Sequence, residues 1–499
     1  KEDSIEGIYD CAKEMARTYS WGGGVGCVAK GSFVITRKGV KKIEEVEEGE
    51  EILSFNPVLQ QLEFKKVIKT HRPIVRREDN VAIYLKDGTC LITSRWHPTL
   101  VFRNNKFQYV PASQVLPTDA MLSTPDLHTL PLECDKFHNP DLGWWVGAHI
   151  GNGSTDKPKV EEFERDYKDY GKIRERTRIR FWSPSKEVVE KYCDIFNKMT
   201  NSEAKVLYSE PLYRIDTSGY AVVDIIKKFV DGFFGKKATR IRIPRWIWNA
   251  TRETQIAFLA GLIDTDGYIN TDKNRIEFNT SSKELAYDLK TLLSLLGSGS
   301  RIRVKPKNKV GANSVVKQCS ESYIVYTYNT KLLSEIVNYI VYPEKREKIL
   351  NIISNNKNKY FVYVPDFVKS FIEQYGTWAV LKEKRYNVIN ALEKNYIKYS
   401  LFEEVMSNII NYYFQNEHWE IYYQAISFYK LCKNLIPVDK VVFGVDVDEE
   451  FCDLTVEGNN NYFAGIGGLS VIHNTDISIL RPANSPVLNS ARFSTGAVS

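Results

Sequence analysis

Cysteine pairs are missing from this chain. None of its eight cysteines stands in a Cys-x-x-Cys arrangement, and they are scattered over the whole length. That spacing argues against a zinc site and against a disulfide-stapled scaffold. Free thiols suit a reducing compartment, so a cytoplasmic setting is expected. Long apolar runs are also lacking, so no membrane-spanning segment is expected. The opening KEDSIEGIYDCAKEMART has the polar pattern of a surface helix and lacks the apolar core of a signal peptide. Charge of one sign is scarce in excess: 68 Lys and Arg stand against 62 Asp and Glu, a net charge of +6. This mild basicity is compatible with nucleic acid but is weak evidence alone. No solenoid repeat is visible. At 499 residues the length suggests three or four domains. Both ends read like the interior of a longer precursor.

What is present is reactive chemistry at two distant places. Cys27 follows a glycine run in SWGGGVG-CVAKGSF, and His473-Asn474 precedes Thr475 in GLSVIHN-TDISILRP. With residues 27–474 deleted, the flanks join as SWGGGVG-TDISILRPANSP, which reads as one uninterrupted protein. A planar amide is a poor electrophile, but an adjacent thiol can convert it to a thioester. Cys27 is placed to do this to the Gly26 carbonyl, where the missing β-carbon leaves easy access. The Thr475 hydroxyl could take over the acyl group. Asn474 could then attack its own carbonyl, close a succinimide and cut the chain. Intramolecular placement can supply about 7–11 kcal/mol of such a barrier. His473, an imidazole that titrates near neutrality, is placed to move a proton in that closure. Taken singly, a buried cysteine or a His-Asn-Thr loop is ordinary; the combination with a continuous flanking sequence carries the reading.

These residues resemble those of inteins. Cys27 to Phe55, with GSFVITRKGVKKIEEVEEGEEILSF, resembles the first splicing block. CLITSRWHPTLV at 90–101 is similar to the block with a Thr-x-x-His motif. His97 fits the histidine, while Ser94 stands three residues before it and Thr93 four. The resemblance implies that His97 protonates the scissile amide nitrogen as the thioester forms. FCDLTVEGNNNYFAGIGGLSVIHN resembles the last block. There Asp453 matches the family aspartate, Asn460 stands where many members have histidine, and Cys452 reads as core packing.

Between these blocks lie two related helices, LGWWVGAHIGNGS at 142–154 and FLAGLIDTDGYI at 258–269. Small residues recur four apart, at Gly143, Gly147 and Gly151 and at Ala257 and Gly261, which puts them on one face of each helix. The second helix resembles the LAGLIDADG motif of homing endonucleases. The resemblance implies a carboxylate from each helix end holding Mg²⁺ beside the scissile phosphates. Asp266 takes that place in the second motif, and Asn152, an amide without charge, takes it in the first. TRIRIPRWIWN at 239–249 resembles the block preceding the second motif, with Arg240 and Arg242 where the family has lysine. Strand-like basic runs follow each motif: Arg174, Arg176, Arg178 and Arg180 in KIRERTRIRFW, and Arg301, Arg303 and Lys305 in RIRVKPKNKV. Alternating cations suit phosphate contacts, though such runs are also ordinary solvated sheet faces.

The expected architecture is an all-β, horseshoe-like splicing (Hint) domain interrupted by an α/β LAGLIDADG endonuclease domain, with a helical module after it. The expected boundaries are host segment 1–26, splicing part 27–135, endonuclease-like domain 136–345, helical module 346–436, splicing part 437–474 and host segment 475–499. The module reads either as a DNA-binding element or as a spacer. The joined flanks resemble a ribonucleotide reductase catalytic-subunit segment. The expected function is autocatalytic splicing of those flanks, with no cofactor, together with binding of double-stranded DNA at the host-gene junction and Mg²⁺-dependent cleavage weakened by Asn152. The alternative is a site-specific DNA-binding endonuclease that has lost splicing; a structural insertion with neither activity is the bland third.

Overall fold

A computed structural model describes residues 27–56, 61–123, 126–133, 136–162, 173–235, 238–306, 308–309, 318–319, 321–355, 361–392 and 396–474. Gly26, Thr475 and the rest of the two flanks lie outside the described residues. Among the described residues the chain divides into two compact units, one from 27–123, 131–133 and 434–474, the other from 126–130 and from those between 136 and 433.

The first unit is a β-structure woven from both ends of the chain. Short runs rich in Val, Ile and Phe, such as FVIT, NVAIYL and FCDLTV, favour a pleated, half-buried surface. Strand Val28–Ala29 lies between Cys90–Ser94 and Phe451–Val456. Phe33–Thr36 pairs with Asn461–Gly465, and Leu435–Phe443 joins Ala120–Leu122 to Asn80–Leu85. Strands from residues 28–122 and 435–473 therefore alternate in one sheet system. They share one core, in which Val28, Val81, Leu91 and Val101 meet Val438, Cys452, Leu454 and Ile472. No piece of the chain could bury this core alone, because neighbouring strands come from opposite sides of a long insertion.

The second unit is organised by two helices. Pro140–Asn152 starts with Asn139, whose side chain accepts the Leu142 N–H, and with proline at the first helical position. Arg252–Thr265 starts with Thr251 accepting the Thr254 N–H. The glycine stripes bring these helices into backbone contact. A β-carbon on Gly147 would sit 2.0 Å from the Phe258 carbonyl oxygen, and one on Gly261 would sit 2.0 Å from that of Trp144. Each helix leads into its own antiparallel sheet. After the first come Gly153–Thr155, Lys159–Glu162, Ile173–Ser183, Leu212–Gly219 and Leu207–Ser209. After the second come Gly267–Asn270, Arg275–Thr280, Ser322–Thr327 and Ser300–Lys305.

The helical stretch also belongs to this second unit. Helices Asp366–Tyr375, Tyr399–Gln415 and Trp419–Asn434 gather Val368, Phe371, Phe402, Met406, Ile409 and Phe428 into a core of their own. Among the described residues no helix is long and apolar enough to cross a membrane.

Candidate functional sites

In the first unit, strand register sets the surroundings of Cys27. Val28 pairs with Cys452 on one side and with Thr93 on the other. The Cys27 carbonyl accepts the Thr93 hydroxyl at 2.5 Å and the Ser94 N–H at 3.1 Å. Its side chain is buried. Burial raises the thiol pKa above the ordinary range, the Asp453 carboxylate raises it further, and hydrogen bonds from Ser94 act in the opposite direction. Asp453 is itself buried and held, its Oδ1 accepting the Tyr462 hydroxyl at 2.9 Å and the Leu454 N–H at 2.9 Å.

His97 follows the same strand. A tight turn, closed by its N–H donating to the Ser94 carbonyl at 3.0 Å, brings it back toward the strand end. The ring is fully buried, and neither nitrogen meets hydrogen-bond geometry with a described group. Burial, and then the positive charge of His473, push its pKa down to about 3. The imidazole is therefore neutral at physiological pH.

At the other terminus of the interrupted segment, His473 Nδ1 contacts the Asn474 carbonyl oxygen, and its ring meets Tyr109 edge-on with centroids 4.8 Å apart. Asn474 is fully buried. In the orientation that satisfies both ends of its amide, Nδ2 donates to the Asn460 carbonyl at 2.6 Å and Oδ1 accepts the Val456 N–H at 2.9 Å. The Asn474 main-chain N–H donates to the same Asn460 carbonyl at 2.8 Å.

Thr93, Ser94 and Asp453 thus surround Cys27, and His97 is electrostatically coupled to His473 beside Asn474. Gly26 and Thr475 lie outside the described residues. Sequence reasoning missed Tyr462 and Asn461. Both sit in the strand run NYFAG, whose pattern signals only sheet.

The second unit holds a separate constellation. Asp264 is a structural carboxylate: it is buried, with Oδ2 accepting the Trp144 indole N–H at 2.8 Å and the Val341 N–H at 3.0 Å. Burial raises its pKa, and hydrogen bonds from Tyr342, Val341 and Trp144 oppose the rise. Asp266, two residues on, is exposed just past the helix end. A β-carbon on Gly151 would meet Thr265 Oγ1 at 2.0 Å and the Asp266 nitrogen at 3.5 Å, so the ends of the two helices meet beside Asn152 and Asp266. Asn152 donates to the Trp182 carbonyl at 3.3 Å.

Lys345 closes the second helix end. Its Nζ donates to the Ile263 carbonyl at 2.7 Å and that of Thr265 at 2.9 Å. Burial lowers its pKa to about 8 against the opposing charges of Asp264 and Asp266. Sequence reasoning did not find it, because it lies far along the chain from the motif it caps. One exposed carboxylate fits a Mg²⁺ that draws its remaining ligands from water and phosphate oxygens. Among the described residues there is no cluster of three acidic, histidine or cysteine groups able to hold an ion alone.

The basic residues divide into two kinds. Arg178 makes a two-point pair with Asp216, Arg180 pairs with Asp156, and Arg242 binds buried Asp288 in a two-point pair at 3.0 and 3.1 Å. Arg176 donates to Ser218 at 3.1 Å. The strand carrying Arg174 is described, but that side chain lies outside the described residues. Arg240 is exposed. Arg301, Arg303 and Lys305 alternate along Ser300–Lys305 and are all exposed. They face the same side as Tyr326, which pairs with Arg301 across the strands.

Residues 253–340 match the family described as LAGLIDADG-like domain, and the chain contains such a domain over that stretch. Among curated proteins, it is 27% identical over 281 residues to a replication factor C small subunit of Methanocaldococcus jannaschii, covering 55% of this chain and 13% of that protein. It is 28% identical over 222 residues to the ribonucleoside-diphosphate reductase NrdEB subunit alpha of Bacillus subtilis, covering 42% of this chain and 19% of that protein. The chain thus spans a fifth or less of the length of these relatives. Among solved structures, it is similar to the homing endonuclease I-DmoI in complex with DNA and Ca, at 15% identity and a TM-score of 0.27, covering 42% of this chain and 96% of that one. It is also similar to an intein from a hyperthermophile, at 17% identity and a TM-score of 0.19, covering 21% of this chain and 77% of that one.

Proposed function

We propose that this protein excises residues 27–474 from itself and joins the flanking segments by a peptide bond. The observation that carries this reading is the weave of the first unit: Cys27, just before strand Val28–Ala29, and Asn474, just after strand Ser470–His473, are both buried at ends of strands of one sheet system. The thiol and the amide are the groups such a reaction requires, and each lies against a histidine or carboxylate. The Cys27 thiol is held protonated, so attack on the Gly26 carbonyl needs a base, and Asp453 is the carboxylate that acts on it. His97, neutral at rest, can relay to the departing nitrogen the proton that Asp453 takes from the thiol. The acyl group passes to the Thr475 hydroxyl; Asn474 closes to a succinimide with His473 against its carbonyl and frees the Thr475 amine, to which the acyl group then moves from the hydroxyl oxygen as a peptide bond. Curated relatives with unrelated names, matched over a small share of their length, support an inserted element. The flanks are read as ribonucleotide reductase segments, and the thiols as kept reduced in the cytoplasm.

The test uses two precursors. Cys27→Ala should stop joining of the flanks, while Asn474→Ala should retain the C-terminal flank and still be cut before Cys27 by an added thiol. Joined flanks from Cys27→Ala would refute the reading.

A second activity rests on the LAGLIDADG-like domain: binding of double-stranded DNA spanning the host-gene junction, with weak or strand-biased cleavage. Asp266 would hold Mg²⁺, which supplies charge neutralisation at the scissile phosphate. Asn152 contributes an amide oxygen at most, so one strand lacks a charged ligand. The comparison is cleavage of junction DNA by the unaltered protein and by Asn152→Asp. Efficient double-strand cutting with no gain from the aspartate would refute the assigned defect.

A further inference from the structure

The residues that hold Asn474 form a device separate from the reacting side chains. Asn460, with φ of +53°, lies in the left-handed region that asparagine tolerates. Its carbonyl accepts the main-chain N–H of Asn474 at 2.8 Å and, with the Asn474 amide turned so that both its ends are satisfied, the side-chain Nδ2 at 2.6 Å. Its own side chain makes no hydrogen bond among the described residues.

The next residue fixes this geometry. Asn461 is fully buried, and its Oδ1 accepts the Ser54 hydroxyl at 3.0 Å and the Phe55 N–H at 2.8 Å. Its Nδ2 donates to the Phe55 carbonyl at 2.8 Å, the Asn459 carbonyl at 3.1 Å and the Tyr109 hydroxyl at 3.2 Å. Asn459 in turn donates to Ser54 Oγ at 3.1 Å. Asn460 is therefore pinned on both sides to strand Glu51–Asn56. Tyr109, held by the same amide, is the ring that lies edge-on to His473. A buried amide with both ends satisfied is a rigid support, because each lost partner would leave a desolvated polar group.

We infer that the main-chain carbonyl of Asn460 is the acceptor that orients the attacking Asn474 amide in succinimide closure, and that Asn461 is the positioning residue that holds this carbonyl and Tyr109 in place. The inference rests on the splicing reading. In the step, Asn474 Nδ2 bonds to the Asn474 carbonyl carbon and the bond from that carbon to the following nitrogen breaks. Nδ2 loses one proton and the departing nitrogen gains one, so no co-reactant is needed. The Asn460 oxygen, accepting from Nδ2–H, aims the nitrogen and increases its electron density. His473 Nδ1, already against the Asn474 carbonyl oxygen, donates in its Nδ1–H form to the oxygen on which charge develops. The role at position 460 belongs to the backbone, so its side chain is dispensable.

The experiment uses the full precursor with single substitutions and follows two rates: release of the C-terminal flank and dithiothreitol-induced cleavage before Cys27. Asn460→Gly keeps the carbonyl and accommodates the positive φ, so it should slow release far less than Asn461→Ala does. Asn461→Ala should slow C-terminal release by about 10²-fold, the loss that small misplacement of reacting groups can bring. Thiol-induced cleavage should persist, which also reports that the sheet has folded. Three results would overturn the inference: Asn460→Gly slowing release as much as Asn461→Ala, Asn461→Ala leaving release unchanged, or Asn461→Ala slowing both rates alike. Failure of the splicing reading is seen separately, as release of the C-terminal flank from Asn474→Ala.

Discussion

Asp453 acts on Cys27 from the neighbouring antiparallel strand, and its charge adds to burial in keeping the thiol protonated. The same carboxylate is held in place by Tyr462. Under the proposed splicing reaction, a carboxylate that suppresses the thiolate and also receives its proton would keep Cys27 protonated until it attacks.

Replacing Asp453 by Asn should separate these two effects. Loss of the negative charge lowers the Cys27 pKa, although burial still holds it above a free thiol. In an Asn474→Ala background, the pH profile of dithiothreitol-induced cleavage should move to lower pH while its plateau falls, because the proton acceptor is gone. A profile that stays in place would show that Asp453 does not act on the thiol.

His97 makes the first unit sensitive to acid. Its folded pKa, about 3, lies below the unfolded value of about 6.5, so the unfolded chain binds more protons between these limits. Stability should therefore fall as pH drops through that window, by about 2 kcal/mol between pH 7 and pH 5 from this group alone. Chemical denaturation of wild type and His97→Asn at both pH values checks this; equal pH dependence in the two proteins would remove His97 as the cause.

The helix pair should tolerate no β-carbon at its crossing. In Gly261→Ala the new methyl would fall 2.0 Å from the Trp144 backbone oxygen, so the helices must separate along their length. Overpacking of this kind costs roughly 1–3 kcal/mol or more. Calorimetry should show a lower melting temperature for the second unit, with the first unit unchanged. An unaltered second transition would contradict the close backbone packing.

DNA affinity should depend unequally on the two sheets. Arg301, Arg303 and Lys305 are exposed. Where one of them neutralises a phosphate, its replacement by Ala should reduce the slope of log affinity against log salt by about 0.9. Arg178→Ala should change the slope less, because Asp216 already engages that guanidinium. Equal slopes for Arg303→Ala and Arg178→Ala would argue against this division.

Candidate residues could be named from the sequence wherever a chemistry demands a type at a place, and the structure puts Cys27, His473 and Asn474 among the buried residues of one unit. Cys27, His473 and Asn474 stand out because a thiol, an imidazole and an amide border a flank that reads through. The glycine stripes were legible because spacing of four fixes a helix face. Cys452 read correctly as core, since the register turns it with Val28 into the apolar cluster. What stayed hidden depends on register between distant strands. Asp216 and Asp156 engage Arg178 and Arg180 only once those strands pair, so a basic run looked freer than it is. Asn461 and Tyr462 sit in a strand whose pattern reports burial alone. Lys345 lies far from the motif in sequence and meets it only in the folded unit. The expectation of a separate helical module after residue 345 met a chain in which that stretch has its own core yet groups with the LAGLIDADG-like domain in one compact unit.

The most direct test of the account is the intact mass of the products formed by the unaltered chain with both flanks present. Splicing predicts two species: residues 27–474 ending in a C-terminal succinimide or its hydrolysis product, and residues 1–26 joined to 475–499 through a Gly26–Thr475 peptide bond. The joined species should vanish in Cys27→Ala. A chain that stays at full mass under reducing conditions, with no bond before Cys27 open to an added thiol, would contradict it.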